Sequence, residues 1–594
     1  MHRSGTVNKN WGWLALCLAL WGLSGPARAG AADAAFEQRF GDAFLDGYWR
    51  ENPDAGIANG YYRYADRLLA PDAAGRAGYL RYLDRQLAAL AAVDPQALDE
   101  NHRSDWALLS NRLELERWSL LELKEWQWNP ALYNVAEPFA LLLNTPYAPE
   151  PERLRVVLRR LAVVPAYYAA AKAAVRQPTR EHTQLAIQQN AGALEVLGKP
   201  LETQVAGSGL SAAERTLFLQ RLGRARAAVG DYIAWLKALD ADLAEHGGAR
   251  SFRLGEALYE TKFAHEIQSG GSAKQLYERA LAEKERLHAR MAVLAEELWP
   301  KYFPDTAPPA DRVAKIAALI AKLSENHTTP DNFIPEVKRQ IPLLEAWVRE
   351  HDLVSQDPTR PLQVRETPVY MRGFSIASIN APGPYDPTAN TYYNVSPLSD
   401  YTPAQAESFL REYNHWQLQV LNIHEAVPGH YVQLLHANKS PSRIKTLFGN
   451  GAMVEGWAVY AEKMMLESGW GGFEPEMEFI HSKWLLRVVT NTLLDYGIQV
   501  LGWSEQQVLD LIRDEAFQSE TEARGKWRRA TLSQVQLTSY FAGYSAIYDY
   551  RERLKAELGP RFNLKRFHER FLSFGSAPVA VIESLMRPQD AAQP

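Results

Sequence analysis

The sequence predicts a mainly α-helical protein carrying one small antiparallel β-sheet. Two observations lead there. Long runs place apolar residues at three- and four-residue spacing and open on capping residues, the signature of amphipathic helices. A single region, residues 300–400, interrupts that texture with proline, glycine and β-branched residues. With 594 residues, 46% hydrophobic and 23% charged, the chain has ample material for a buried core.

Taken in order, residues 1–29 read as a secretory signal peptide. Arg3 and Lys9 precede an apolar run, WGWLALCLALWGL, and Ala27-Arg28-Ala29 fits a small-x-small cleavage site. The run is short for a membrane span, so a retained anchor is the lesser alternative. A lipid anchor wants a small residue before its cysteine, and Leu16 precedes Cys17. Cys17 is the only cysteine, so the exported chain has no disulfide and any metal site must use His, Asp or Glu. No later apolar stretch reaches spanning length, and the expected location is the periplasm. The formal charge of −5 becomes more negative once Arg3, Lys9 and Arg28 are removed, which argues against a nucleic-acid partner.

Residues 30–350 form a predicted N-terminal helical region. Helical spacing runs through 151–176; Ser211 and Glu214 can form a capping box for 211–244; 272–299 is a long amphipathic stretch ended by Pro300. Residues 351–594 form the predicted metal-binding catalytic region. GFSIASI and TYYNV (391–395) supply strands, and an edge strand there could pair with an extended peptide through Tyr392, Tyr393 and Asn394. Helices resume at Thr402-Pro403-Ala404-Gln405 and continue over 450–467, 476–501, 504–518 (capped by Ser504 with Gln507) and 530–556. The tail after Gln589 is expected to fray.

The chemistry centres on LNIHEAVPGHYVQ, residues 421–433. A catalytic zinc site takes three protein ligands, an open position for water and a nearby base. In H-E-x-x-H the histidines share one helical face. Here they are six residues apart, which on a regular helix separates them by about 120° and about 9 Å of rise. Pro428 and Gly429 lie between them, the pair best suited to distort a helix. A distortion at 426–429 would let His424 and His430 bind one metal, with Glu425 as base. GAMVEGWAVYAEKMM then offers Glu455 as third ligand, and Glu462, seven residues on and on nearly the same face, as a partner for a ligand histidine. His415 and His436 are weaker alternative ligands. The other His-Glu pair, His265-Glu266, has no second histidine at ligand spacing and reads as structural.

HEAVPGHYVQ followed by EGWAVYAE resembles the domain-of-unknown-function 885 family of mostly bacterial proteins, over most of the mature chain and most strongly from about residue 385. The resemblance implies a large helical metallopeptidase-like body with a deep cleft, and a site related to the glutamate-zinc peptidases. It implies zinc, one ion per chain, on His424, His430 and Glu455, with Glu425 as general base. It also draws attention to Gln534 as a substrate contact, where the chain departs from the family by carrying Leu532-Ser533 ahead of it, and to Gln499, where many relatives have histidine. Tyr540 is a candidate to stabilise the oxyanion; its place in the stripe Tyr540, Tyr544, Tyr548 also fits plain helix packing.

The function expected from these residues is an exported zinc hydrolase, a peptidase with peptide substrates. The alternatives are a non-catalytic peptide- or metal-binding protein on the same scaffold, and a zinc hydrolase of other amides or esters. Only the enzymes need Glu425 beside the first ligand. His₂Glu ligation also suits manganese or cobalt.

Overall fold

The computed structural model describes residues 25–367, 377–381, 383–385 and 390–593. Most of the expected signal peptide, and GFSIASI up to residue 376, lie outside these residues. The described chain is mainly helical, with a three-stranded sheet. Among the described residues no helix is long and apolar enough to cross a membrane.

Local signals place most helices where the sequence predicts them. Ser211 and Glu214 close a capping box on Ala212–His246, Thr402 and Gln405 one on Pro403–Glu412, and Ser504 and Gln507 one on Glu505–Asp510. Four expectations are corrected. The 151–176 run divides into Glu150–Leu161 and Val164–Ala174, because Pro165 sits in the first turn of the second helix, where a missing N–H costs little. Pro300 does not end its helix but lies inside the last turns of Ala273–Tyr302. The predicted helix 530–556 is interrupted between Glu520–Leu532 and Ser539–Leu558, where Val535 adopts φ +73. The tail does not fray: Phe562 and Ala592 form a β-bridge, and the Asn563 amide donates to the Ala591 carbonyl at 2.8 Å.

The sheet is mixed rather than antiparallel. Its order is β1 (Gln363–Glu366), β3 (Tyr392–Val395), β2 (Ala377–Asn380), with β1 parallel and β2 antiparallel to β3. β3 is therefore the central strand. Both its edges are already paired, which removes the expectation that it receives an extended peptide.

Two large cores hold the helices together. One is confined to residues Ile57 to Leu236, around Ala212–His246 and its neighbours. The other takes residues from Phe36 through Ala592, so it draws on chain from both sides of position 350. Its centre is the packing of Gly451–Glu467 on Ser539–Leu558 and of Ala273–Tyr302 on Pro475–Gln499. The candidate site is built on these helices, which gives it rigid support.

Candidate metal centre

The first site helix, His415–Glu425, starts at Asn414, whose side chain accepts from the Trp416 and Gln417 amides. It stops at Glu425. The chain turns through Ala426–Gly429, with a cis bond between Val427 and Pro428, and a new helix runs from His430 to Ala437. Gly429 is required by close approach. Its amide donates to the Ile423 carbonyl at 2.9 Å, and a Cβ there would stand 1.9 Å from the His424 carbonyl oxygen. Trp457 Nε1 fixes the turn from the other side by donating to the Pro428 carbonyl at 2.9 Å.

This break brings the two histidines together, their ring centroids 4.8 Å apart and their planes nearly perpendicular. Glu455, on the helix Gly451–Glu467, completes the group. His430 Nε2 lies 3.5 Å and His424 Nε2 3.9 Å from Glu455 Oε2, and one ligand atom from each residue falls within 4.8 Å of the others. These separations are long for direct hydrogen bonds. They are close to the roughly 3.4 Å expected between ligand atoms each about 2.1 Å from one tetrahedral centre. The donor set, two imidazoles and one carboxylate, is the one found in catalytic zinc sites, and the residues present fit the ion.

Behind His424 stands Glu462, fully buried. Its Oε1 accepts from His424 Nδ1 at 2.7 Å and from Trp484 Nε1 at 3.0 Å, while His481 Nε2 lies 3.4 Å from Oε2. The bond to Nδ1 fixes the imidazole so that Nε2 points to the ligand group. Burial alone would raise the Glu462 carboxyl, but the hydrogen bonds and charges of His424 and His481 hold it below the usual range. Glu455 is treated the same way: burial raises it, while His430, His424 and Arg529 outweigh burial and lower it. His424 is pushed down by burial and lifted more strongly by Glu462, Glu425 and Glu455, to about 9. Three carboxylates around two imidazoles thus create a demand for positive charge, of which a divalent ion would meet more than a proton does.

Glu425 is half-buried beside the first ligand, close enough to Tyr393 and Tyr413 for its charge to help raise both phenols. The helix that carries Tyr540 meets the helix of Glu455 at backbone contact. A Cβ on Gly456 would lie 2.2 Å from the Gly543 carbonyl carbon, and one on Gly543 1.7 Å from the Ala452 carbonyl oxygen. That crossing carries Tyr540 toward Glu455, whose charge, after burial, raises the phenol and keeps it protonated.

The other sequence candidates lie elsewhere. Tyr393 is fully buried in the central strand and donates to Asn422 Oδ1 at 2.9 Å, so it is part of the support and not a substrate contact. Gln534 is buried in the turn before Ser539–Leu558 with its Nε2 unpartnered; among the described residues no hydrogen bond joins it to the three ligand residues. Gln499 ties Ala530 to Leu254. His436 is engaged by the Ser355 carbonyl and His265 by Asn111. The sequence reading missed His481, Trp484, Gly456 and Gly543. Spacing of three from 481 to 484 on a predicted helix, and glycines inside two others, were the available signals. A second His/Asp group, Asp33, Asp99 and His102, is explained by Asp99 capping the helix Glu100–Trp118.

Comparison with known proteins adds three findings. The chain matches the family described as bacterial protein of unknown function (DUF885) over residues 53–586. The solved structure of a protein of unknown function from Shewanella oneidensis, described as a candidate lipoprotein, is 52% identical and superposes with a TM-score of 0.88, covering 92% of this chain and 99% of its own. A second candidate lipoprotein, from Colwellia psychrerythraea, is 16% identical with a TM-score of 0.71, covers 91% of this chain and 96% of its own, and shows the shared fold alone. No curated protein matches the chain. The protein belongs to the DUF885 family of bacterial proteins of unknown function.

Proposed function

We propose that the protein is an exported zinc-dependent hydrolase, a metallopeptidase whose helical body holds a cleft for peptides over His424, His430 and Glu455. The observation that carries this reading is the convergence of those three ligand atoms with a buried carboxylate fixing the first imidazole. Bound there, zinc supplies polarisation of the scissile carbonyl and a lowered pKa for water. The residues of the chain do the rest. Glu425 takes the proton of the attacking water and delivers it to the leaving nitrogen as the C–N bond breaks. Tyr540, kept protonated, donates to the oxygen on which charge develops. Export is supported by the leader-like N-terminus and by the description of the 52% identical Shewanella protein as a candidate lipoprotein; Leu16 before Cys17 favours a periplasmic protein over an anchored one.

The test is Glu425→Gln, with metal content measured beside peptide hydrolysis. The variant is expected to keep one zinc per chain and to lose about 10²- to 10⁴-fold in rate. Unchanged hydrolysis removes Glu425 as the base. Wild-type protein that holds no zinc, and gains no activity when zinc, manganese or cobalt is added, sinks the hydrolase reading.

A further inference from the structure

A cluster of cations flanks the metal centre without enough carboxylates to match it. On the helix Pro475–Gln499, His481, Trp484, Arg487 and Asn491 follow one another at steps of three and four along one face. Trp484 touches Glu462 behind the ligand histidine, and the Arg487 guanidinium lies 5.0 Å from the Trp484 ring centre. The helix Glu520–Leu532 packs against this face and presents Glu522, Lys526 and Arg529 at the same kind of spacing. Arg487 pairs with Glu522 at 3.3 Å, and the nearby Lys483 pairs with Glu412 at 2.6 Å. Lys526 and Arg529 have no such partner: among the described residues no carboxylate lies within ion-pair distance of either.

The two have different surroundings. Lys526 is 7% exposed, and its ammonium donates to the amide oxygen of Asn491. Burial, then the charges of Arg487 and Arg529, hold it well below the usual lysine range. Arg529 is exposed, donates to Gln536, and is close enough to Tyr540 and Glu455 for its charge to lower both. A buried ammonium beside two guanidiniums is costly unless an anion completes it. Here the nearest carboxylates, Glu522 and Glu412, are already paired with Arg487 and Lys483, so neither Lys526 nor Arg529 has one of its own, and the cluster stands next to the residues proposed to cleave a peptide bond.

We infer that Lys526, Arg529 and Arg487 form a pocket for the free C-terminal carboxylate of the substrate, making the protein a carboxypeptidase-type enzyme. This rests on the peptidase reading of the metal centre. Arg529 forms the mouth, beside Tyr540, and Lys526 the floor. A carboxylate held there lies on the leaving-group side of a bond placed at Tyr540 and Glu455, so the residue or short fragment released carries the chain terminus.

The experiment uses the full-length zinc-loaded protein with three N-acetylated peptides: one with a free C-terminus, its C-terminal amide, and an amide bearing glutamate at the last position. Hydrolysis is followed together with calorimetric binding of the leaving product, the free C-terminal amino acid, and of its amide. The free acid is expected to exceed both amides roughly 10- to 100-fold in kcat/KM and in product affinity, the difference expected for charge-assisted hydrogen bonds. Lys526→Met should remove most of that advantage. Arg529→Gln, at an exposed position that leaves folding unaffected, should reduce it as well. Equal handling of acid and amide overturns the pocket, as does a preference that survives both substitutions. Equal handling of the glutamyl amide and the free acid overturns the assignment to the chain terminus. Acid-selective product binding that Lys526→Met abolishes, without hydrolysis of any peptide, upholds the pocket and sinks the peptidase reading alone.

Discussion

Glu462 shows how much one side chain sets in this site. It is 0% exposed, yet it stays ionised because His424, Trp484 and His481 all turn toward it. Its task is to hold the His424 ring with Nε2 facing Glu455. Glu462→Gln keeps the shape and removes the charge. The expected result is a loss of about 10- to 100-fold in zinc affinity, the usual scale for a partner behind a ligand histidine, read by competition with a coloured chelator. Unchanged affinity would mean that packing alone orients the ring. At this scale much was legible in advance. Glu455 and Glu462 were suggested by local helical spacing, and the pairing of His424 with His430 by the proline and glycine between them. Tyr393 was misplaced because burial on a central strand depends on which strands pair with it, and that is set by distant chain.

At the scale of elements, the decisive contact is the crossing of Gly451–Glu467 with Ser539–Leu558. The backbones touch at Gly456 and Gly543, and neither glycine has room for a methyl group. Gly543→Ala is therefore expected to destabilise the protein by about 1–3 kcal/mol through overpacking and to weaken zinc binding by separating Tyr540 and its helix from Glu455. Gly451→Ala, at a position with no neighbour within 4 Å, should stay within about 0.5 kcal/mol of wild type. Denaturant melts of the two variants make the comparison; equal stabilities would show that the crossing relaxes freely. Capping boxes and helix starts were readable because they are sentences of four residues. The parallel pairing of β1 with β3, the bridge that ties Phe562 to Ala592, and the meeting of Gly456 with Gly543 were not, because each joins segments with no shared local signal.

For the whole molecule, the charge demand of the site links stability to pH and metal. His424 is raised from the usual histidine range to about 9 in the metal-free fold. A raised histidine stabilises the fold fully below about pH 6.5, and this contribution is lost as pH rises through about 9. Asp495, buried and raised to about 7, acts with the same sign at lower pH, and Lys526, held low, acts with the opposite sign above 7, so the share of His424 is read as the difference between wild type and His424→Gln. Metal-free wild type should therefore lose more in melting temperature between pH 7.5 and pH 9.5 than metal-free His424→Gln does. Zinc-loaded protein, in which His424 is already deprotonated, should not share this loss, and zinc uptake near pH 7.5 should release a proton. Thermal scans with and without chelator, and zinc titrations in buffers of different ionisation enthalpy, measure both. Identical changes in the metal-free wild type and His424→Gln between the two pH values would contradict the assignment.

The break at Gly429 has a consequence for recognising such sites by their letters. In an unbroken helix, the distance between two ligands along the chain is dictated by the turn of the helix, and only one spacing works. Here the Gly429 amide folds back on Ile423 and the count restarts at His430. Chain distance and spatial distance are thereby uncoupled. H-E-x-x-P-G-H brings two imidazoles side by side much as H-E-x-x-H is expected to, and a reader who insists on the shorter spelling will pass over a candidate set of ligands.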